Sequence, residues 1–259
     1  MLDPVQLEKI LAVPRLFGLI GYPLSHSFSK KYFSEKFERE NISGCLYELF
    51  PLERIGEFPS LLAALPNLCG INVTIPYKEQ VIPFLDELDT EAAAIGAVNT
   101  ILIQDGRRKG FNTDVIGFRE SLLTLLGHRR EQVDHALVLG TGGAAKGVIY
   151  VLEKLGMLVT VVSREAGKSD LAYEQVDAAC MQAHQLIVNT TPLGMSPHLN
   201  TFPAIPYDQI TPDHFLFDLV YNPSETVFMR EGRSRGASVM NGLEMLIGQA
   251  EAAWKIWNA

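Results

Sequence analysis

Lys78 stands four residues beyond Thr74 and six beyond Asn72, in Gly70-Ile-Asn-Val-Thr-Ile-Pro-Tyr-Lys78. An amide, a hydroxyl and an amine gathered at one strand end can hold the oxygens of a small polar ligand. The amine can also deliver a proton. Asn72 and Thr74 are two residues apart, so a strand projects both to one face. Polar groups on an otherwise apolar strand are costly unless something satisfies them there. Asn99 and Asp114 flank a hairpin, Ile101–Ile103 running through Asp105-Gly106 and back along Gly110–Asp114, and can meet at its base. An ionised Asp114 is acceptor-only. On its own it would read as the N-cap of the helix that follows, Val115–Leu126. Gly21-Tyr-Pro-Leu-Ser-His-Ser-Phe-Ser29 places three serines and a histidine after an apolar strand, Arg15–Gly21. That end of a strand is where open α/β sheets bind ligands. Ser29 is the expected cap of a helix running to about Asn41. Lys30 is expected beside solvent. Gln249 sits mid-helix beside an apolar face.

A second constellation is Leu137-Val-Leu-Gly-Thr-Gly-Gly-Ala-Ala-Lys-Gly147. Apolar residues 136–139 predict a buried strand. Glycines follow at 140, 142 and 143, then an apolar stripe at Val148, Val151, Leu152 and Leu155 predicts a helix. Leu158–Ser163 is a further strand, rich in β-branched residues. In a strand–glycine turn–helix–strand unit, Gly140 permits the tight turn and Gly142 lets backbone approach a pyrophosphate. Free amides at the helix N-terminus face that anion. The second strand ends at Val162-Ser163-Arg164, 23 residues after Gly140. NAD-specific units place a carboxylate near there. Ser163 is neutral, and Arg164 can fork onto a 2′-phosphate, so the expected cofactor is NADP. Lys168 would add a second charge and Glu165 would oppose it.

The elements that must position these groups alternate between strand and helix from end to end. Gln185–Asn189 and His214–Val220 are two more strands, and Asn241 onward is a helix with Leu243, Leu246, Ile247, Ala250, Trp254 and Trp257 on its apolar side. The predicted class is α/β in two domains, with the glycine unit in the second. The chain has 259 residues, 47% of them hydrophobic, enough for two medium cores. A net charge of −8 and the lack of any Lys/Arg run argue against nucleic acid as a partner. Three scattered cysteines indicate neither disulfides nor a zinc site, and no metal is expected. No secretory pattern or membrane-length apolar run is visible, so the expected location is the cytoplasm.

Taken together the chain resembles the shikimate dehydrogenase family. The resemblance is carried in order by Pro23-Leu-Ser-His-Ser-Phe-Ser29, Asn72-Val-Thr-Ile-Pro-Tyr-Lys78, Gly96-Ala-Val-Asn-Thr100, Gly110-Phe-Asn-Thr-Asp114, Gly140-Thr-Gly-Gly143, Asn189-Thr-Thr-Pro-Leu-Gly-Met195, Asp218-Leu-Val-Tyr-Asn-Pro223 and Gly242-Leu-Glu-Met-Leu-Ile-Gly-Gln249. It implies an N-terminal α/β substrate domain, residues 1–114 with 241–259, and a Rossmann-type dinucleotide-binding domain, residues 115–240. The C-terminal helix returns to the first domain. It also implies reversible NADPH-dependent reduction of 3-dehydroshikimate to shikimate, on the route to chorismate and the aromatic amino acids.

By the same resemblance, Lys78 and Asp114 are catalytic. Ser27 and Ser29 hold the substrate carboxylate. Asn72, Thr74, Asn99 and Gln249 take the ring hydroxyls, and Tyr221 lies at the substrate. Gly140, Thr141, Gly142, Gly143 and Ala144 cradle the cofactor phosphates. Ser163 and Arg164 sit at its adenosine end, Met195 and Gly242 towards the nicotinamide, and Thr190 also binds the cofactor. The chain departs from the family pattern at Lys30, where proline is usual. It departs again at Ser163 and Glu165, where asparagine and threonine usually flank the arginine. A monomer or homodimer is expected. One rival is a quinate/shikimate dehydrogenase with relaxed cofactor use, or a relative acting on an aminated ring. The other is a dinucleotide-binding sensor that kept the fold and lost the chemistry.

Overall fold

Apolar runs that end at Gly, Pro or Asn become parallel strands, because helices crossing over them bury both faces. A computed structural model describes residues 4–24, 27–164, 167 and 169–259. Along the chain these are α1 (Pro4–Leu11), β1 (Arg15–Gly21), α2 (Phe28–Arg39), β2 (Cys45–Pro51), α3 (Phe58–Ala64), β3 (Leu68–Val73), β4 (Glu87–Leu88), α4 (Thr90–Ile95), β5 (Thr100–Gln104) and β6 (Arg107–Phe111). Next come α5 (Asp114–Leu126), β7 (His135–Leu139), α6 (Gly143–Lys154), β8 (Leu158–Ser163), β9 (Leu171–Ala172), α7 (Ala178–Ala183) and β10 (Leu186–Asn189). The chain closes with β11 (Phe215–Asp218), α8 (Val227–Ser234), β12 (Ser238–Met240) and α9 (Leu243–Trp257). None of the described helices is long and apolar enough to cross a membrane.

The chain divides into two compact units, residues 1–113 with 250–259, and residues 114–249. The division falls inside α9 rather than at its start. The reason is packing: Ala250, Ala253 and Trp257 join a core with Phe17, Phe33, Phe37 and Tyr47. Trp257 Nε1 donates to the Ile101 carbonyl at 2.9 Å.

The first unit holds a mixed sheet in the order β2-β1-β3-β5-β6-β4. β1 runs parallel to β2 and β3, and β5 runs antiparallel to β3 and β6. The expected hairpin is present, with Asp105 and Gly106 at φ 51° and 74°, as its turn demands. Two expectations are corrected. The helix expected over Ile55–Leu65 is a 3₁₀ turn at Ile55–Glu57 followed by α3, with Pro59 in the first turn. The strand expected over Gly70–Ile75 leaves its ladder after Val73, and Thr74 N turns to the Ile20 carbonyl.

The second unit holds a sheet in the order β12-β11-β10-β7-β8-β9, parallel at every pairing. Numbered within the unit, that order is 3-2-1-4-5-6 read from the other edge. It is the doubly wound order of dinucleotide-binding sheets, with its switch point between β7 and β10. Leu137, Leu139, Val162, Ile187 and Leu216 form its buried centre.

Candidate active site

Asn72 and Thr100 face each other across the antiparallel β3–β5 pair, close enough for side chains to bond. Asn72 Nδ2 donates to Thr100 Oγ1 at 3.1 Å and to the Asn99 carbonyl at 3.3 Å. Asn72 Oδ1 accepts from the Tyr47 hydroxyl at 2.8 Å. Asn99 Oδ1 accepts from the Thr113 amide at 2.6 Å, and from the Thr113 and Thr100 hydroxyls at 3.1 and 3.2 Å. The hairpin thus brings Asn72 and Asn99 into one buried amide–hydroxyl array at the base of β5. Lys78 lies on the turn after β3, half-buried, and its carbonyl accepts from Val98 N at 2.8 Å. Tyr77, just before it, is anchored by its hydroxyl on the Leu52 carbonyl.

The serine turn differs from expectation. Ser27, not Ser29, holds the N-cap position of α2, at φ −66° and ψ 123°, and its hydroxyl makes no capping bond. Ser27 Oγ is buried with no hydrogen-bond partner among the described residues. A buried hydroxyl costs free energy unless a ligand pairs it. Ser29 lies in the first turn of α2, buried. The Lys30 side chain is 42% exposed, beside solvent as expected, and its ammonium also meets the nearly buried Glu48 carboxylate at 2.6 Å. Ser25 and His26 lie outside the described residues.

In the second unit, α5 begins at Asp114, so this carboxylate is the first helical residue and not the cap. α5 and α9 approach backbone to backbone. A Cβ on Gly117 would lie 2.8 Å from Gln249 N, and one on Gly248 3.0 Å from Gly117 Cα. This approach sets Asp114 and Gln249 on adjoining helices. Gln249 is 7% exposed, and its Nε2 donates to the Leu246 carbonyl.

Gly140 adopts φ +111°, a region side chains other than glycine avoid. A Cβ there would lie 2.7 Å from Thr190 Oγ1, which itself donates to the Leu139 carbonyl. Thr190 therefore packs against the glycine turn at the switch point. Among the described residues, nothing beyond the local backbone and chain neighbours lies within 4 Å of a Cβ built on Gly142 or Gly143, and the N-terminus of α6 carries no side-chain cap. Open space above uncapped amides fits a dinucleotide pyrophosphate. A cavity of about 450 Å³ beside the turn is lined by Thr141, Ala145, Lys146, Ile149, Val161, Ser169 and Asp170. Ser163 is buried and Arg164 exposed at the end of β8. Ala144, Met195 and Tyr221 are exposed, and a Cβ on Gly242 would run into the Leu219 carbonyl. Glu165 and Lys168 lie outside the described residues.

Sequence reasoning gave no role to Asp218, which closes β11 with no exposure at all. It accepts from Asn189 Nδ2 at 2.9 Å, Val220 N at 3.0 Å and Thr226 Oγ1 at 2.6 Å. Asn189 in turn accepts from the Thr191 amide and hydroxyl, so one carboxylate ties the loops after β10 and β11 together. Burial pushes its pKa up from 3.8 to about 6, with the three donors pulling the other way. A raised carboxyl contributes stability that is fully present below its unfolded pKa and lost as pH rises through the folded value. Thermal melts of the parent should therefore lose stability between about pH 4 and 6, by about 3 kcal/mol. Asp218→Asn should lack that descending step. Matching pH profiles for the two proteins would contradict the assignment.

The arrangement so far is a buried array of neutral donors and acceptors in one unit and a glycine turn of dinucleotide-binding type in the other. A family model described as the shikimate dehydrogenase substrate binding domain matches residues 19–101. A shikimate dehydrogenase (NADP(+)) of Carboxydothermus hydrogenoformans is 40% identical over 267 residues, covering 96% of this chain and 93% of that protein. This chain belongs to the shikimate dehydrogenase family. Solved members of the family share its fold. A shikimate dehydrogenase in complex with NADP+ superposes with a TM-score of 0.85 at 32% identity, covering 94% of this chain and 89% of that one. The Thermus thermophilus shikimate 5-dehydrogenase, in complex with NADP(H) and shikimate, gives 0.80 at 32% identity, covering 94% and 93%.

Sequence reasoning gave no individual role to Tyr47, Thr100 or Thr113, which join the Asn72–Asn99 array. Thr100 and Thr113 lie within quoted motifs. Tyr47, in Leu46-Tyr-Glu-Leu-Phe50, carries no local mark that separates it from any strand aromatic.

Proposed function

We propose that this chain catalyses the reversible NADPH-dependent reduction of 3-dehydroshikimate to shikimate, in the shikimate route to chorismate and the aromatic amino acids. The observation that carries it is the buried array of Asn72, Thr100, Asn99 and Thr113, with Lys78 on the next turn, in a chain of this family. Neutral amides and hydroxyls offer both donors and acceptors, as a ring bearing several hydroxyls requires.

When bound, the reduced nicotinamide supplies a hydride to the ketone carbon. The oxygen then gains negative charge, and Lys78 donates the proton that quenches it. Asp114 orients that ammonium and accepts from a ring hydroxyl. Ser27, whose buried Oγ has no described partner, and Ser29 take the carboxylate. Asn72, Thr74, Asn99 and Gln249 hold the ring, with Tyr221 at its edge. Residues 1–114 with 241–259 act as the substrate domain and 115–240 as the NADP domain. In the latter, Gly140, Thr141, Gly142, Gly143 and Ala144 receive the phosphates, Ser163 and Arg164 the adenosine end, and Met195 and Gly242 the nicotinamide end, with Thr190 also binding the cofactor. The enzyme works in the cytoplasm as a monomer or homodimer.

Initial rates with shikimate or quinate, each with NADP or NAD, test this reading. Shikimate with NADP should give the highest kcat/KM. No formation of reduced nicotinamide from shikimate with either cofactor would sink it, and a preference for quinate would move it to the rival substrate. Arg164→Ala should raise the KM for NADP about tenfold or more, by loss of a charge-assisted bond, and leave that for NAD nearly unchanged. Equal rises for both cofactors would remove Arg164 from 2′-phosphate recognition.

A further inference from the structure

Tyr47 is 1% exposed, and its ring stacks on Phe33 at a centroid distance of 4.5 Å and an interplanar angle of 13°. Phenylalanine would fill the same space without a hydroxyl to bury. The hydroxyl is nevertheless there, and it donates to Asn72 Oδ1 at 2.8 Å. A phenol has one proton, and given to Asn72 it fixes Oδ1 as the acceptor. The Asn72 amide is thereby held with Nδ2 turned to Thr100 Oγ1 and the Asn99 carbonyl. We propose that Tyr47 is a positioning residue for ring recognition, whose hydroxyl sets the orientation of the Asn72 amide. The proposal rests on the reading of the first unit as the shikimate-binding unit.

Tyr47 touches no ligand on this account and acts only through Asn72. Burial pushes its ionisation far above the ordinary phenol range, so the proton stays in place at any working pH. Its effect is therefore independent of pH. Without the hydroxyl, Asn72 Oδ1 becomes a buried acceptor with no partner, and the amide is free to rotate and lose its other bonds.

The test is Tyr47→Phe in the full-length protein, with Asn72→Ala and the double variant beside it. Shikimate KM should rise about tenfold, by the same factor from pH 6 to pH 9, which are about the limits of a convenient assay. The change in kcat should stay within about threefold and the KM for NADP should not move. Tyr47→Phe added to Asn72→Ala should cost nothing further, because the hydroxyl then has no amide to orient. A shikimate KM unchanged in Tyr47→Phe would overturn the proposal, and so would an undiminished effect in the Asn72→Ala background. A Tyr47→Phe protein that fails to fold overturns it too, since the hydroxyl would then serve the fold and not the site. Parent protein inactive on shikimate would instead strike the functional reading itself, an outcome the parent control separates from the others.

Discussion

Lys78→Met lowers kcat by about 10² to 10⁴ and moves shikimate KM far less. Reduction of a ketone leaves an alkoxide that must be protonated, and the side chains arrayed around Asn72 are neutral amides and hydroxyls. Such groups bind a hydroxyl well but part with a proton poorly at neutral pH. Lys30, the other cation of the substrate motifs, is held by Glu48 at 2.6 Å. Methionine keeps the stem of Lys78 and removes only the ammonium, so the loss belongs to the transition state. A folded Lys78→Met protein with kcat within a few-fold of the parent would mean that another group is the acid.

Gly140→Ala weakens NADP binding by about 10- to 100-fold and leaves shikimate binding within about twofold. Two independent costs add at this position. The backbone sits at φ +111°, where a residue with a Cβ costs about 1–3 kcal/mol. The added methyl also lies 2.7 Å from Thr190 Oγ1 and 3.0 Å from Thr191 Cγ2, so the turn must move away from the end of β10. Such a movement opens the switch point on which the phosphates depend. Calorimetric titration with NADP and, separately, with shikimate checks both halves. An unchanged NADP affinity would show that the turn does not hold the cofactor.

The dinucleotide turn was legible in the sequence because everything that marks it is local. Strand, glycines at 140, 142 and 143, and the apolar stripe of α6 fall within about one supersecondary unit. The strand order of the second sheet was not legible, since it depends on which strands pair across crossovers. Capping roles slipped by two residues at Ser27 and Ser29, because either serine could start the helix and only the extended backbone at Ser27 separates them. Several short elements, α1, α4, α7, α8 and β12 among them, were not anticipated, each spanning eight residues or fewer, less than the window in which a repeat is read. Long-range polar pairs were the least visible. Tyr47 and Asn72 are 25 residues apart, Asn189 and Asp218 29, and no spacing rule joins them. Asn72, Asn99 and Lys78 were recognisable as polar residues at strand ends, whereas the groups that hold Asn72 and Asn99, such as Tyr47 and Thr113, lie elsewhere in the chain.

Direct transfer between the nicotinamide and the ring is the central claim, and one labelling experiment addresses it most directly. The protein is given 3-dehydroshikimate and NADPH carrying deuterium at its transferable position, and the product is analysed by NMR and mass spectrometry. The account predicts shikimate with a single deuterium on the carbon that was the ketone, and none of the label in solvent. Product without deuterium at that carbon, or no shikimate at all from folded protein, would contradict it.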